Sequence, residues 1–445
     1  MSNVAPPSPV GPAPSARQLA WHALEFYGFL HFTTNTFTNK EWGYGDEDPS
    51  LFHPTDFDPE SIARVAREVG MKGLILTAKH HDGFCLWPTK TTKHHVGFSP
   101  HKKDVVKAFA SACRKNRIRF GVYLSPWDRN NSAYGSPAYV DIYRAQLREL
   151  MTGYGPLFEI WHDGANGGDG FYGGARETRK IDKTRYYDWP KTWGLIRELQ
   201  PDACVFSDAG PDIRWIGNER GIAGNPCWET MKAEGLHPGK EGIEARLNAG
   251  ERNGDTWLPG ECDVSIRPGW FWHEAENEKV RPPENLLDLY LNSVGRGASF
   301  LLNVPPDRRG RWHENDVEAL RGFARLRDAL FATEVSKGAS PRSLCDGKAE
   351  TYWQGDGPIC DAMVTFKRPG MVGLVRIREF LPAGQRVDSW VLELREGGAW
   401  KEVAAGQSIG SCRLARFTPV LADAMRLRIT KASAPPVLSE LRAYS

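Results

Sequence analysis

No stretch of this chain comes near the roughly 18–20 consecutive apolar residues that a membrane-crossing helix needs, so none of it reads as a membrane span. Charge of one sign is equally scarce. Lys and Arg number 57 against 55 Asp and Glu, a net +2, which gives no electrostatic basis for binding nucleic acid or an anionic membrane and points instead to a neutral ligand. The eight cysteines (Cys85, Cys113, Cys204, Cys227, Cys262, Cys345, Cys360 and Cys412) form no Cys-x-x-Cys pair, which argues against a structural zinc or a thioredoxin-like motif, and they are too few for a disulfide scaffold. Those inside apolar runs, such as Cys113 and Cys204, behave as small hydrophobes. No His-x-His or His-Glu-x-x-His spacing occurs, and the adjacent His80 and His81 are poorly disposed to chelate one ion, so neither metal nor cofactor is expected. Met1 to Ser15, rich in Pro, Ala and Ser, lack the basic and apolar regions of a signal peptide and read as a loose tail. An exported parent protein would have lost its signal, so the compartment stays open, as does the oligomeric state.

Tryptophan, by contrast, is plentiful. Sixteen indoles supply flat faces suited to the C–H patches of carbohydrates, although core packing accounts for some of them. At 445 residues the chain exceeds the ~250–300 residues beyond which a single core stops growing, so two units are expected.

From Phe26 to about Leu330, apolar runs alternate with amphipathic helical stretches, the pattern of βα units around a parallel sheet. Strands are read at Tyr27 to Phe32, Gly73 to Ala78, Arg119 to Leu124, Leu157 to Trp161, Ala203 to Ser207 and Ala298 to Val304. The helix after the first strand has Asp58 as N-cap, Pro59 at its first position and Gly70 as its stop. The spacing predicts a (β/α)8-like, TIM-type barrel over 16–335. After Ser336 the periodicity turns to alternation, as in Val375 to Phe380, Trp390 to Leu394 and Met425 to Ile429, and predicts an all-β jelly-roll or β-sandwich domain over 336–445, of the kind that binds carbohydrate or packs on a barrel. A packing role is favoured, with loops that narrow the leaving-group side of the barrel mouth.

In such a barrel the C-terminal strand ends build the site, and here strand after strand ends in groups suited to a sugar: His31; then His80 and His81 with Asp82 and Trp87; Tyr123 with Trp127; Trp161 with Asp163. Asp163, directly past a strand, is a candidate nucleophile for glycoside cleavage. That chemistry needs a second carboxyl, and Glu219, Glu229 and Glu261 all qualify by sequence.

Five stretches carry a resemblance: His31-Phe32 followed by Glu41-Trp42; Leu76 to Phe84; Tyr123 to Asp128; Trp161-His162-Asp163-Gly164-Ala165-Asn166-Gly167; and Leu302 to Asp307. Through them the chain resembles the α-L-fucosidases of glycoside hydrolase family 29. Two further stretches, Pro211 to Glu219 and Glu261 to Trp270, resemble the branch of that family that prefers α-1,3 and α-1,4 fucosyl linkages. The resemblance implies Asp163 as nucleophile, Glu219 as acid/base, and His31, Glu41, Trp42, His80, His81, Tyr123, Trp161 and Arg214 around the fucose, with a fucosylated oligosaccharide or glycoprotein glycan as partner. His162 departs from the aromatic residue that many relatives carry there. Competing readings are a fucosidase of broad specificity acting on α-1,2 or α-1,6 linkages and aryl fucosides, a fucose-binding protein without catalysis, and a metal-dependent hydrolase.

Overall fold

The computed structural model describes residues 7–445. Eight parallel strands close into a barrel: β1 (Phe26–Leu30), β2 (Gly73–Lys79), β3 (Arg119–Leu124), β4 (Glu159–Trp161), β5 (Cys204–Ser207), β6 (Ile213–Trp215), β7 (Gly260–Ser265) and β8 (Ser299–Asn303). Each pairs with its neighbour in sequence, and β8 closes on β1 with Phe26 opposite Phe300. The TIM-type expectation holds, with two strands the sequence reading left out, β6 and β7. Both are hard to see because no helix separates β5 from β6, and the link from β6 to β7 is a long excursion over 216–259 holding only a short helix, Glu244–Ala249, and a two-stranded hairpin.

Local signals set the helices elsewhere. In α2 (Pro59–Glu68), which follows α1 (Ala16–His22), Asp58 Oδ1 accepts the Ser61 N–H at 2.9 Å and Pro59 opens the first turn. The helix stops at Gly70, whose φ of +85° suits a residue without Cβ. The buried face of α2 carries Ile62 and Val65, each stabilising by roughly 1.5–3 kcal/mol on burial. Helix α1 lies across the foot of the barrel: Gln18 donates to the carbonyls of Asp212 and Trp257, and Trp21 Nε1 donates to Glu159 Oε2 at 2.9 Å.

Alternation along each strand fills the barrel in layers. On β1, Tyr27 and Phe29 point inward and His31 follows at the mouth; on β5, Cys204 and Phe206 do the same. Tyr27, Phe29, Ile75, Tyr123, Trp161, Cys204, Phe206 and Leu301 form one inner cluster. Below them two carboxyl groups, Glu159 and Glu261, are fully buried together. Each holds its proton above the ordinary carboxyl range because of burial, and Glu159 is pushed further by Glu261 beside it.

The C-terminal unit is antiparallel throughout, as expected. Its six strands, Trp353–Gln354, Cys360–Glu379, Val387–Glu396, Ala399–Gln407, Arg413–Ala432 and Val437–Tyr444, are hydrogen-bonded as one sheet. Two of them run 20 residues. A straight strand of that length would span about 66 Å, far beyond a unit whose radius of gyration is about 13 Å, so the sheet folds over its own core. The register shifts between Thr365 and Gly370 and between Val372 and Leu374 mark where it bends. The loops before Val387 and after Gln407 press on the 216–259 excursion and on the turn before β8: Gln385 Oε1 accepts the Glu229 N–H at 3.0 Å, Ser408 Oγ accepts the Cys227 N–H, and Ser411 Oγ donates to the Gly297 carbonyl. The described part of the N-terminal tail is tied to the same unit, Val10 N–H donating to Ala383 and Arg386 donating to the Ser8 carbonyl. Among the described residues no helix is long and apolar enough to cross a membrane.

Candidate active site

A cavity of about 230 Å³ opens at the C-terminal end of the barrel, smaller than the ~300–1,000 Å³ of drug-sized pockets and suited to one sugar ring. His31, Glu41, Trp42, His80, His81, Trp161, Asp163 and Glu219 all line it.

Strand β4 ends at Trp161, so alternation brings Asp163 to the mouth. Its Oδ1 accepts the Ala165 N–H at 2.7 Å and its Oδ2 accepts the Tyr123 hydroxyl at 3.0 Å. Burial raises the Asp163 carboxyl above its ordinary range while those two hydrogen bonds favour the anion. Trp161 lies flat on Phe206, with centroids 4.0 Å apart, and donates Nε1 to Glu261 Oε1 at 2.8 Å.

The histidines are held neutral. Asn303 gives its amide N–H groups to Ser265 Oγ and the Trp270 carbonyl, so its oxygen faces His31 Nδ1 at 2.9 Å and that nitrogen carries the proton. Ser125 donates its hydroxyl to the Trp127 carbonyl and therefore accepts from His81 Nδ1 at 2.7 Å. His81 Nε2, 3.9 Å from Asp163 Oδ2, is left as an acceptor. Burial lowers both rings to about 3 and lowers His80 too, so none is cationic near neutrality. Trp42, 54 % exposed, stands at the rim edge-on to His81. Glu41 is clamped by the Trp270 and Phe271 N–H groups and by His273.

Glu219 follows β6 on an exposed turn and accepts from Trp270 Nε1 at 3.2 Å. Its carboxyl is pushed up by burial, then by Asp163 and Glu41, against the Trp270 hydrogen bond. The other two candidates lie elsewhere. Glu229 is buried against the C-terminal unit, and Glu261 sits a layer below the cavity, accepting from Tyr27 and Trp161.

Arg214 does not line the cavity, contrary to the expectation. Between Ile213 and Trp215 on a three-residue strand, it points away from the barrel when Trp215 points in, and its guanidinium donates to the Leu247, Leu258 and Trp228 carbonyls of the excursion. Tyr123 acts through Asp163 rather than as a wall. Asp82 and Trp87 are likewise structural: Asp82 accepts from Thr33, Thr34 and the Phe84 N–H, and Trp87 donates to Glu149. His162 is buried against Tyr143 and Trp189. No residue of the C-terminal unit lines the cavity; its loops brace the excursion. The lining groups missed include two acids, Asp208 and Asp263, and two indoles, Trp215 and Trp270. Strand alternation contains the signal for two of them, Asp208 being two past Phe206 and Asp263 two past Glu261. Among the described residues no group of three or more His, Cys, Asp or Glu is arranged to hold a metal ion.

The family model described as Alpha-L-fucosidase matches residues 16–326. The chain is 39 % identical to Alpha-L-fucosidase 1 of Arabidopsis thaliana, over 98 % of this chain and 88 % of that one. Among solved structures it is similar to a glycoside hydrolase 29 family member from an unknown rumen bacterium (41 % identity, 98 % of this chain and 78 % of that one, TM-score 0.89). It is similar also to the Ruminococcus gnavus GH29 fucosidase in complex with fucose (30 % identity, 100 % and 97 %, TM-score 0.88). With the barrel and its acidic, tryptophan-walled mouth, these matches make the chain a member of the α-L-fucosidases of glycoside hydrolase family 29.

Proposed function

We propose that the protein is a retaining exo-α-L-fucosidase in which Asp163 is the nucleophile and Glu219 the acid/base. The observation that carries this reading is the pairing of environments in one small cavity. Both carboxyls are raised by burial, but Asp163 is held by two hydrogen-bond donors that favour its anion, whereas Glu219 has two acidic neighbours that favour its protonated form against a single hydrogen bond from Trp270. Asp163 Oδ attacks the anomeric carbon as the glycosidic oxygen leaves with the Glu219 proton; water, deprotonated by Glu219, then cleaves the ester, so the configuration is retained. The neutral rings of His31, His80 and His81 exchange hydrogen bonds with the hydroxyls of fucose, Glu41 adds an acceptor, and Trp42 and Trp161 offer faces to its methyl and C–H patches. A related Ruminococcus gnavus enzyme holds fucose, in keeping with this glycone.

The natural substrate is a terminal α-1,3- or α-1,4-linked fucose on a branched oligosaccharide or glycoprotein glycan, a reading supported by the Pro211 to Glu219 and Glu261 to Trp270 stretches. Incubation with a 2-fluoro-fucosyl donor followed by peptide mapping tests the mechanism: the label is expected on Asp163, and a label on another residue refutes the assignment. Comparison of Lewis-type trisaccharides with 2′-fucosyllactose tests the linkage, and faster release from 2′-fucosyllactose would overturn it.

A further inference from the structure

Strand β5 contributes an acid that the mechanism above does not use. Asp208 lines the cavity between the strand that carries Asp163 and the strand that leads to Glu219. Its Oδ2 accepts the Gly239 N–H at 2.8 Å, and its carboxyl lies so close to the nucleophile's loop that a Cβ on Gly164 would collide with both oxygens. Gly239 is in turn packed on the Gly164 carbonyl and the Asn166 amide, and belongs to an exposed, polar part of the excursion that reaches Lys183 through Glu241. Asp208 therefore joins the nucleophile loop to the outer rim.

Among the described residues Gly239 is the one other residue that donates to the Asp208 carboxyl, and it does so at Oδ2, leaving Oδ1 without a donor from another residue. The strands on the far side of the mouth, β1 to β3, already supply the three imidazoles suited to a sugar ring, whereas β5 lies on the short arc between nucleophile and acid/base, on the side that opens to the rim. Burial and the neighbouring Asp163 raise the Asp208 carboxyl to about 6, so near neutrality it is largely an anion seeking a donor. A saccharide hydroxyl is such a donor, and an aryl leaving group has none.

We propose that Asp208 is the specificity residue for the leaving saccharide: Oδ2 holds the Gly239 loop while Oδ1 accepts a hydrogen bond from a hydroxyl of the sugar that departs. This rests on the α-L-fucosidase reading of the mouth. The residue touches the leaving group rather than the reacting bond.

The test is the ratio of kcat/KM for a fucosyl oligosaccharide to that for a nitrophenyl fucoside, in wild type and D208N. Asn keeps an oxygen for the Gly239 N–H and turns the free position from acceptor to donor. The ratio is expected to fall at least 10-fold. Equal losses on both substrates would mean a purely structural role and overturn the proposal, as would an unchanged ratio. A second measurement needs no variant: with wild-type enzyme and leaving saccharides lacking one hydroxyl at a time, a single position is expected to lose about 10-fold or more, and a flat series overturns the proposal. Absence of turnover with every fucoside in wild type would instead count against the fucosidase reading itself.

Discussion

The mouth of the barrel has two halves built on different chemistry. Strands β1 to β3 present His31, His80, His81 and Tyr123, four uncharged groups whose rings burial keeps neutral. Strands β4 to β7 present Asp163, Asp208, Glu219 and Asp263, one acid per strand, every one displaced upward. The arginine of β6, Arg214, is turned outward to carbonyl oxygens, so it does not offset the crowd. Neutral rings of fixed tautomer suit recognition of hydroxyls; carboxyls whose proton affinities have been pulled upward suit proton transfer near neutrality.

The acidic half is broken most severely at Asp163. Asp163→Ala is expected to lower kcat by at least about 10⁴-fold with every fucoside, since without the nucleophile only binding and polarisation remain; steady-state kinetics with an aryl fucoside checks it. Glu219→Ala follows, with a loss of about 10²–10⁴-fold on saccharides and a much smaller one on activated aryl fucosides, which need little protonation to leave. Equal losses would remove Glu219 from the acid role. The pH profile sharpens the same division. Activity falls with decreasing pH as the raised Asp163 carboxyl takes up a proton and with increasing pH as the raised Glu219 carboxyl gives its proton up. The histidines add no limb above about pH 3, where His31 and His81 are neutral. A limb that disappears in a histidine variant would contradict the neutral half.

Much of this division was legible in the sequence, and the part that was not has a physical cause. Strands β1 to β4 are apolar runs, each with an amphipathic helix further along the chain, so their ends, and with them His31, His80, His81, Tyr123 and Asp163, could be located. Strand β6 is three residues long and carries an arginine, and β7 interleaves Glu261 and Asp263 with Cys262 and Val264; acids pointing into a barrel do not look like a core strand. Once those two segments are strands, period two excludes Arg214 and brings in Asp263; Asp208 needed only the period of β5 carried two residues past Phe206. Glu261 hides β7 in this way, since a carboxyl needs a proton and tryptophan or tyrosine partners to sit inside at all; Glu159, buried beside it, lies on β4, where the apolar neighbours Leu157, Phe158, Ile160 and Trp161 still mark the strand.

The neutral half yields a smaller effect. His81→Phe removes the Nε2 acceptor and the Nδ1 hydrogen bond to Ser125 while keeping a ring against Trp42 and Trp127. One lost hydrogen bond to substrate corresponds to about 10–100-fold in kcat/KM, and the profile's two limbs should stay where they are. A shifted limb would mean that His81 titrates with the acids.

Glu229 separates an upward-displaced carboxyl from a catalytic one. It is buried like the acids of the mouth and raised to about 7, chiefly by burial, but it faces the C-terminal unit, with Oε1 accepting the Ser411 N–H and Oε2 unpartnered. Its folded value lies above the ordinary 4.5, so the carboxyl favours folding fully only below about pH 4.5, and that contribution is lost as pH rises through 7. A displacement of this size corresponds to on the order of 3 kcal/mol. Gln carries no charge at any pH. Glu229→Gln is therefore expected to melt at a higher temperature than wild type at pH 8, with the difference shrinking at pH 5, and to turn over fucosides at the wild-type rate within about twofold. Thermal melts at the two pH values and an aryl fucoside assay check both halves of the statement. A loss of activity comparable with that of Glu219→Ala would move the acid/base out of the mouth and dissolve the contrast between its two arcs.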